Sequence, residues 1–214
     1  MNFLLGNLSR IIFILPTVLI ALIGHETAHA WMSVKLGDPT PKIDGRLSIN
    51  PLHHLDPIGT ILMILTGFGW ARPVSVNPMY YKDRKKGMAL VALAGPAANI
   101  IMAALGMIIG VLLLKIFQGT YAVTDIIQIV TYIFVRMNLS LFVFNLIPIP
   151  PLDGSKILGV ILPNKYYYIM LQYEQYSMII LMILAVTGAF DRIIGTGADM
   201  LFGVIFNMAS AIVF

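Results

Sequence analysis

Residues 11–35 read IIFILPTVLIALIGHETAHAWMSVK, and this stretch decides the fold. It lies in an apolar run from about residue 3 to 34, interrupted only by Arg10 and by the cluster His25, Glu26, Thr27, Ala28, His29. About 20 apolar residues let a helix cross the hydrocarbon of a bilayer. The run therefore predicts a transmembrane helix with two histidines and a glutamate inside it, ended by Lys35, Gly37 and Pro39. Ala28, His29 and Ala30, coming after a short apolar core, imitate a signal-peptide cleavage site. The basic leader region is weak, however, and the chain beyond is as hydrophobic as the chain before, so the segment reads as a span.

The composition agrees. Of 214 residues, 58% are hydrophobic and 11% charged, and the mean hydropathy is +0.87. Soluble domains carry about 25% charged residues, so a water-soluble globule is excluded. Disorder is excluded by the same numbers, and the absence of cysteine excludes a disulfide scaffold. Further spans are predicted at about 88–114, 125–147, 169–190 and 198–214. The expectation is one all-α, polytopic, membrane-embedded domain over 1–214, with about five to six transmembrane helices. Thirteen methionines scattered through the spans read as packing residues.

Between 36 and 87 the chain is rich in Gly, Pro, Asn and Asp. KIDGRLSI (42–49) and ARPVSV (71–76) have the alternation of short strands, and 58–68 is apolar but too short to span. A small β-hairpin layer with a re-entrant segment is expected here. Eight of the fourteen Lys and Arg residues fall between 35 and 86. By the positive-inside rule this layer faces the cytoplasm, which places the N-terminus outside and 148–168 inside. The run KDRKK at 82–86 abuts an apolar stretch, so it reads as an anchor at the lipid bilayer, and no nucleic-acid partner is expected.

The chemistry starts at residues 25–29. On a helix, positions i and i+4 share a face, so His25 and His29 project together as two ligands of one metal would. Glu26 between them completes the H-E-x-x-H arrangement, in which the glutamate serves as general base. Three ionisable side chains on one membrane helix need compensation, and a metal supplies it. A tetrahedral zinc with one position kept for water needs a third protein ligand. Asp153, in NLIPIPPLDGSKIL after Pro148, Pro150 and Pro151 break the helix, is the outstanding candidate, although Asp-Gly is equally a common turn pair.

HETAH (25–29), NPLHHLDPIG (50–59), GWARPVSVNP (69–78), AGPAAN (94–99) and NLIPIPPLDG (145–154) stand in the order seen in the site-2 protease family of intramembrane zinc metalloproteases. The chain resembles that family along most of its length. The resemblance implies a Zn2+ cofactor held by His25, His29 and Asp153, with Glu26 as catalytic base. It also implies peptide hydrolysis in single-span membrane proteins or remnant signal peptides, in a prokaryotic cell membrane. Lys35 lies six residues beyond His29, which sets the metal roughly 9 to 15 Å inside the cytoplasmic edge. At this length, none of the PDZ or CBS modules that some members carry is expected.

Supporting roles fall to three polar residues. Asn145 is a candidate to hydrogen-bond an unwound substrate strand, or to cap the broken helix. His54 precedes Asp56-Pro57 and is a candidate to guard the site entrance or to occupy the zinc in a resting state, with a loop hydrogen bond as the alternative. Asn99 follows Gly95-Pro96 and is expected to satisfy backbone freed by the proline rather than touch substrate. Arg136, in mid-span, needs a partner that the sequence does not name. The competing functions are a transporter or channel using buried His, Glu and Asp as an ion site, and an inactive membrane scaffold. The transporter predicts paired interrupted segments in two halves, which this sequence lacks, and a scaffold would not require Glu26.

Overall fold

A computed structural model of the chain describes residues 2–48, 50–56, 58–59, 72–172 and 174–214. The described residues are helical wherever regular. Helix α1 (Asn2–Lys35) passes through Pro16, and after it comes the single turn α2 (Thr40–Ile43). Short 3-10 turns follow at Pro51–His53 and Pro78–Tyr80. Then come α3 (Arg84–Ile116), α4 (Tyr121–Asn145), α5 (Asp153–Ile161), α6 (Asn164–Gln172), α7 (Glu174–Val186) and α8 (Ala189–Val213).

Among the described residues, four helical stretches are long and apolar enough to cross a membrane: Phe13–Lys35, α3, α4 and α8. The expectation of five to six spans also takes in segments that run through residues outside the described ones. Within the span predicted at 169–190, the described residues up to Gln172 and from Glu174 to Val186 are helical. The last span begins at Ala189, nine residues before the predicted start.

The β-hairpin layer is absent from the described residues, for a local reason in each half. Around 42–49, Pro39 and Pro41 start a helical turn that consumes the amides a ladder would use. Ile43 N donates to Pro39 O, Asp44 N to Thr40 O and Arg46 N to Pro41 O, and Gly45 turns the chain at φ +69°. The stretch 72–77 is extended but pairs with no strand among the described residues. Arg72 N donates to His54 O, Pro73 has no N–H, and Val74 N donates to a side chain. The predicted re-entrant segment 58–68 falls almost wholly on 60–71, outside the described residues.

The chain forms two compact units. The first comprises Met1–Ala21, Asn99–Asn145 and Tyr176–Phe214. Its core is built from α3, α4 and α8 through Ala103, Met107, Val111, Val135, Leu139, Ala198, Ile205 and Ala209. Small residues let membrane helices approach closely: a Cβ on Gly106 would overlap the Phe134 ring, and one on Gly110 would overlap Thr131. Arg136 pairs with Asp199 between α4 and α8, which supplies the partner the sequence left open.

The second unit comprises Leu22–Ala98 and Leu146–Gln175. It is stitched by a polar cluster at the end of α1. Asp38, fully buried, accepts from Ser33 Oγ at 2.8 Å, Thr40 N at 2.9 Å and Asn77 N at 2.7 Å. Tyr81 Oη completes the cluster, 2.7 Å from Ser33 Oγ. A further tie runs from Lys85 Nζ on α3 to Leu162 O at the end of α5, at 2.6 Å.

Candidate metal centre

Within the second unit, α1 carries His25 and His29 one turn apart, both buried. Their rings meet edge to face with centroids 4.5 Å apart. Facing them is Asp153, the first residue of α5, where the positive end of the helix favours a carboxylate. Asp153 Oδ2 lies 3.2 Å from His25 Nε2 and 3.1 Å from His29 Nε2, and the two Nε2 atoms are 2.9 Å apart.

These three atoms fit a metal. Ligand atoms about 2 Å from a tetrahedral centre stand roughly 3.3 Å apart, close to the edges of this triangle. The tautomer fits as well. His29 Nδ1 sits 2.7 Å from Val91 O on α3, so as the N–H donor it leaves Nε2 as the lone-pair atom. Among the described residues, His25, His29 and Asp153 are the only group of three or more His, Asp or Glu placed this way.

Close packing brings the elements together. A Cβ on Gly95 would overlap the rings of both His29 and His25, so only glycine lets α3 lie against the face of α1 that bears them. A Cβ on Gly154 would overlap the carbonyls of Leu146 and Ile147, so the start of α5 packs directly on the backbone that leads into it. The Pro150–Pro151 peptide in that connection is cis.

Glu26, half-buried beside the cluster, accepts at Oε2 from Val74 N at 3.2 Å. The extended stretch 72–77 therefore runs past the glutamate and reaches Asp38 at its far end through Asn77 N. On another face of α1, Ile23, Gly24, Thr27, Ala28 and Trp31 line an apolar groove with Leu47, of about 580 Å³.

The other expected site residues are not among the three ligands of this cluster. His54 is fully buried, its Nε2 2.6 Å from Ser48 O, and it is not part of the three-residue cluster. Asn145 turns its amide back to Leu141 O, 3.0 Å away on its own helix, and belongs to the first unit. Asn99 is fully buried three residues after Pro96 and also belongs to the first unit. Val74, Val91 and Lys85 were missed by the sequence reading. Val74 and Val91 act through backbone atoms, which no side-chain motif signals. Gly95 was visible only as part of AGPAAN.

Comparison with known proteins adds a second line. Residues 113–188, which include Asp153, match the model of peptidase family M50. Over 87% of this chain and 85% of the relative, the sequence is 41% identical to YwhC of Bacillus subtilis, which is named as a zinc metalloprotease. It is 28% identical to Rip2 of Mycolicibacterium smegmatis, also named as a zinc metalloprotease, over 88% of this chain and 72% of that one. A zinc metalloprotease of Methanocaldococcus jannaschii is 30% identical over 74% of this chain and 36% of its own length. No solved structure matches the chain.

Proposed function

The chain belongs to peptidase family M50, the site-2 proteases, whose cofactor is zinc, and on that premise we propose that it hydrolyses peptide bonds within or beside the transmembrane segments of single-span membrane proteins or remnant signal peptides. The observation that carries this reading is the meeting of His25, His29 and Asp153 in one buried triangle with Glu26 on the adjoining position of the same helix. In this reading those three residues hold the zinc. Bound there, zinc supplies Lewis-acid polarisation of a carbonyl and acidifies water towards neutrality.

The chain's own residues then have defined tasks. Glu26 takes a proton from the attacking water and returns it to the leaving amine, as a positioned general base and acid does. The Val74 N–H fixes one carboxylate oxygen of Glu26 and leaves the other for that proton. His29 is locked in orientation by Val91 O. The stretch 72–77 is extended and offers backbone groups beside Glu26, which suits an unwound substrate segment laid alongside it. The cluster of Lys and Arg between 35 and 86 supports an active site nearer the cytoplasmic face of a prokaryotic membrane.

The test is co-expression with a library of tagged single-span substrates, wild type against Glu26→Gln, with zinc measured on the same preparations. The expected result is cleavage lost by about 10²–10⁴-fold with zinc retained. Cleavage that persists in Glu26→Gln would remove Glu26 as the base, and a wild type that cleaves no member would overturn the proposal.

A further inference from the structure

Helix α8 is polar on the wrong side for a membrane helix. From Arg192 to the end of the helix its polar residues are Arg192, Thr196, Asp199, Asn207 and Ser210. At about 100° per residue all five, with Gly203, fall within an arc of about 80°. Ala198, Ile205 and Ala209, which build the core, point away from that arc. Arg192, Thr196, Asp199, Gly203 and Asn207 are exposed and Ser210 is half-buried, so the arc faces outward.

Its centre lies in mid-span. Asp199 stands ten residues from Ala189 on a 25-residue helix, about 15 Å along its axis. Its side chain is 66% exposed although Arg136, itself 30% exposed, pairs with it. A membrane helix turns ionisable groups towards a bundle interior or a polar partner, because hydrocarbon offers them no hydrogen bonds. An uncovered pair at this depth calls for a covering surface that is polar at the same depth.

We propose that this face of α8 is the interface through which a second copy of the chain packs in the membrane. Two copies inserted with the same topology carry their polar residues at matching depths, so Thr196, Asp199 and Asn207 each meet a hydrogen-bonding counterpart. The Arg136–Asp199 contact runs from Nη1 to Oδ1. A guanidinium has five N–H donors and a carboxylate about four acceptor sites, so two such pairs side by side can cross-link into a ring of four alternating charges. A Cβ on Gly203 would meet nothing within 4 Å, and a glycine at the centre of a helix contact lets two backbones approach closely. This inference does not depend on proteolysis.

The chain has no cysteine, so single cysteines can be placed without background and oxidised in intact membranes. Thr196→Cys, Gly203→Cys and Asn207→Cys are expected to cross-link copy to copy. Val204→Cys and Met208→Cys, exposed but off the arc, are expected not to. Adding Gly203→Leu to Asn207→Cys, at a position with open space around it, should lower the cross-linked fraction about tenfold while membrane accumulation and zinc content stay unchanged. Uniform cross-linking at all five positions, none at the three on the arc, or adducts with a different protein such as a substrate helix would each overturn the proposal.

Discussion

Gly95 shows how much of this site depends on an atom that is not there. Its missing Cβ is the space that the two histidine rings occupy. Gly95→Ala must push α3 away from α1, which also draws Val91 O away from His29. Metal sites whose supporting contacts are disturbed lose about 10–100-fold in affinity, and that loss is expected here, read by competition for zinc against a chelator of known affinity. Substitution of Gly203, where a Cβ has open space, should leave zinc affinity unchanged. At this scale the sequence was legible where chemistry is local: His25, Glu26 and His29 declare themselves within five positions. Asp153 needed elimination and family likeness, because 124 residues separate it from His29 in the sequence. Glu26's contact with Val74 was illegible because a peptide N–H is the same at every position but proline.

Among the elements, the connection from α1 to α3 departs most from expectation. Alternation in 42–49 suggested a strand, but the prolines at 39 and 41 and the buried Asp38 impose a different geometry. Asp38 takes the place of a ladder: one carboxylate gathers Ser33, Thr40 and Asn77 from both sides of the connection. Burial pushes its pKa up, but these hydrogen bonds outweigh it and hold the carboxyl below its usual range. A depressed folded pKa gives stability that is present above the unfolded value of about 3.9 and is lost as pH falls through the folded value. Thermal midpoints of the wild type in detergent are therefore expected to fall as the medium is acidified below about pH 4. Asp38→Asn should cost about 2 kcal/mol at neutral pH and flatten that acid limb. An unchanged midpoint at pH 7 would show that the cluster is not a clamp.

For the whole molecule, the arithmetic of hydrophobic content foretold a polytopic helical protein but not how many helices would be long enough to cross. Hydropathy reports apolar length and is blind to where a helix starts, so the last span was expected from 198 although its helix begins after the turn at 187–188, at Ala189. The four long helices satisfy their own backbone groups, as hydrocarbon requires. The first unit has its own apolar core without any of the three candidate ligands. The helices should thus outlast the metal, unlike a zinc finger, which unfolds without it. Chelation is expected to abolish cleavage while the far-UV circular dichroism keeps its helical signal, and zinc should restore activity. Loss of the helical signal on chelation would show that the metal carries the fold.

The bond from Lys85 to Leu162 closes a figure. His29 and Val91 pin α1 to α3, the histidines and Asp153 join α1 to α5, and Lys85 fastens α3 to the far end of α5. Three bars pinned at three corners make a truss, which cannot shear without stretching a member. Take out any one pin and the figure becomes a linkage that folds. Stiffness at the ligand triangle is then a property of the frame, and a lysine in the first turn of α3 has mechanical leverage on ligands it never touches.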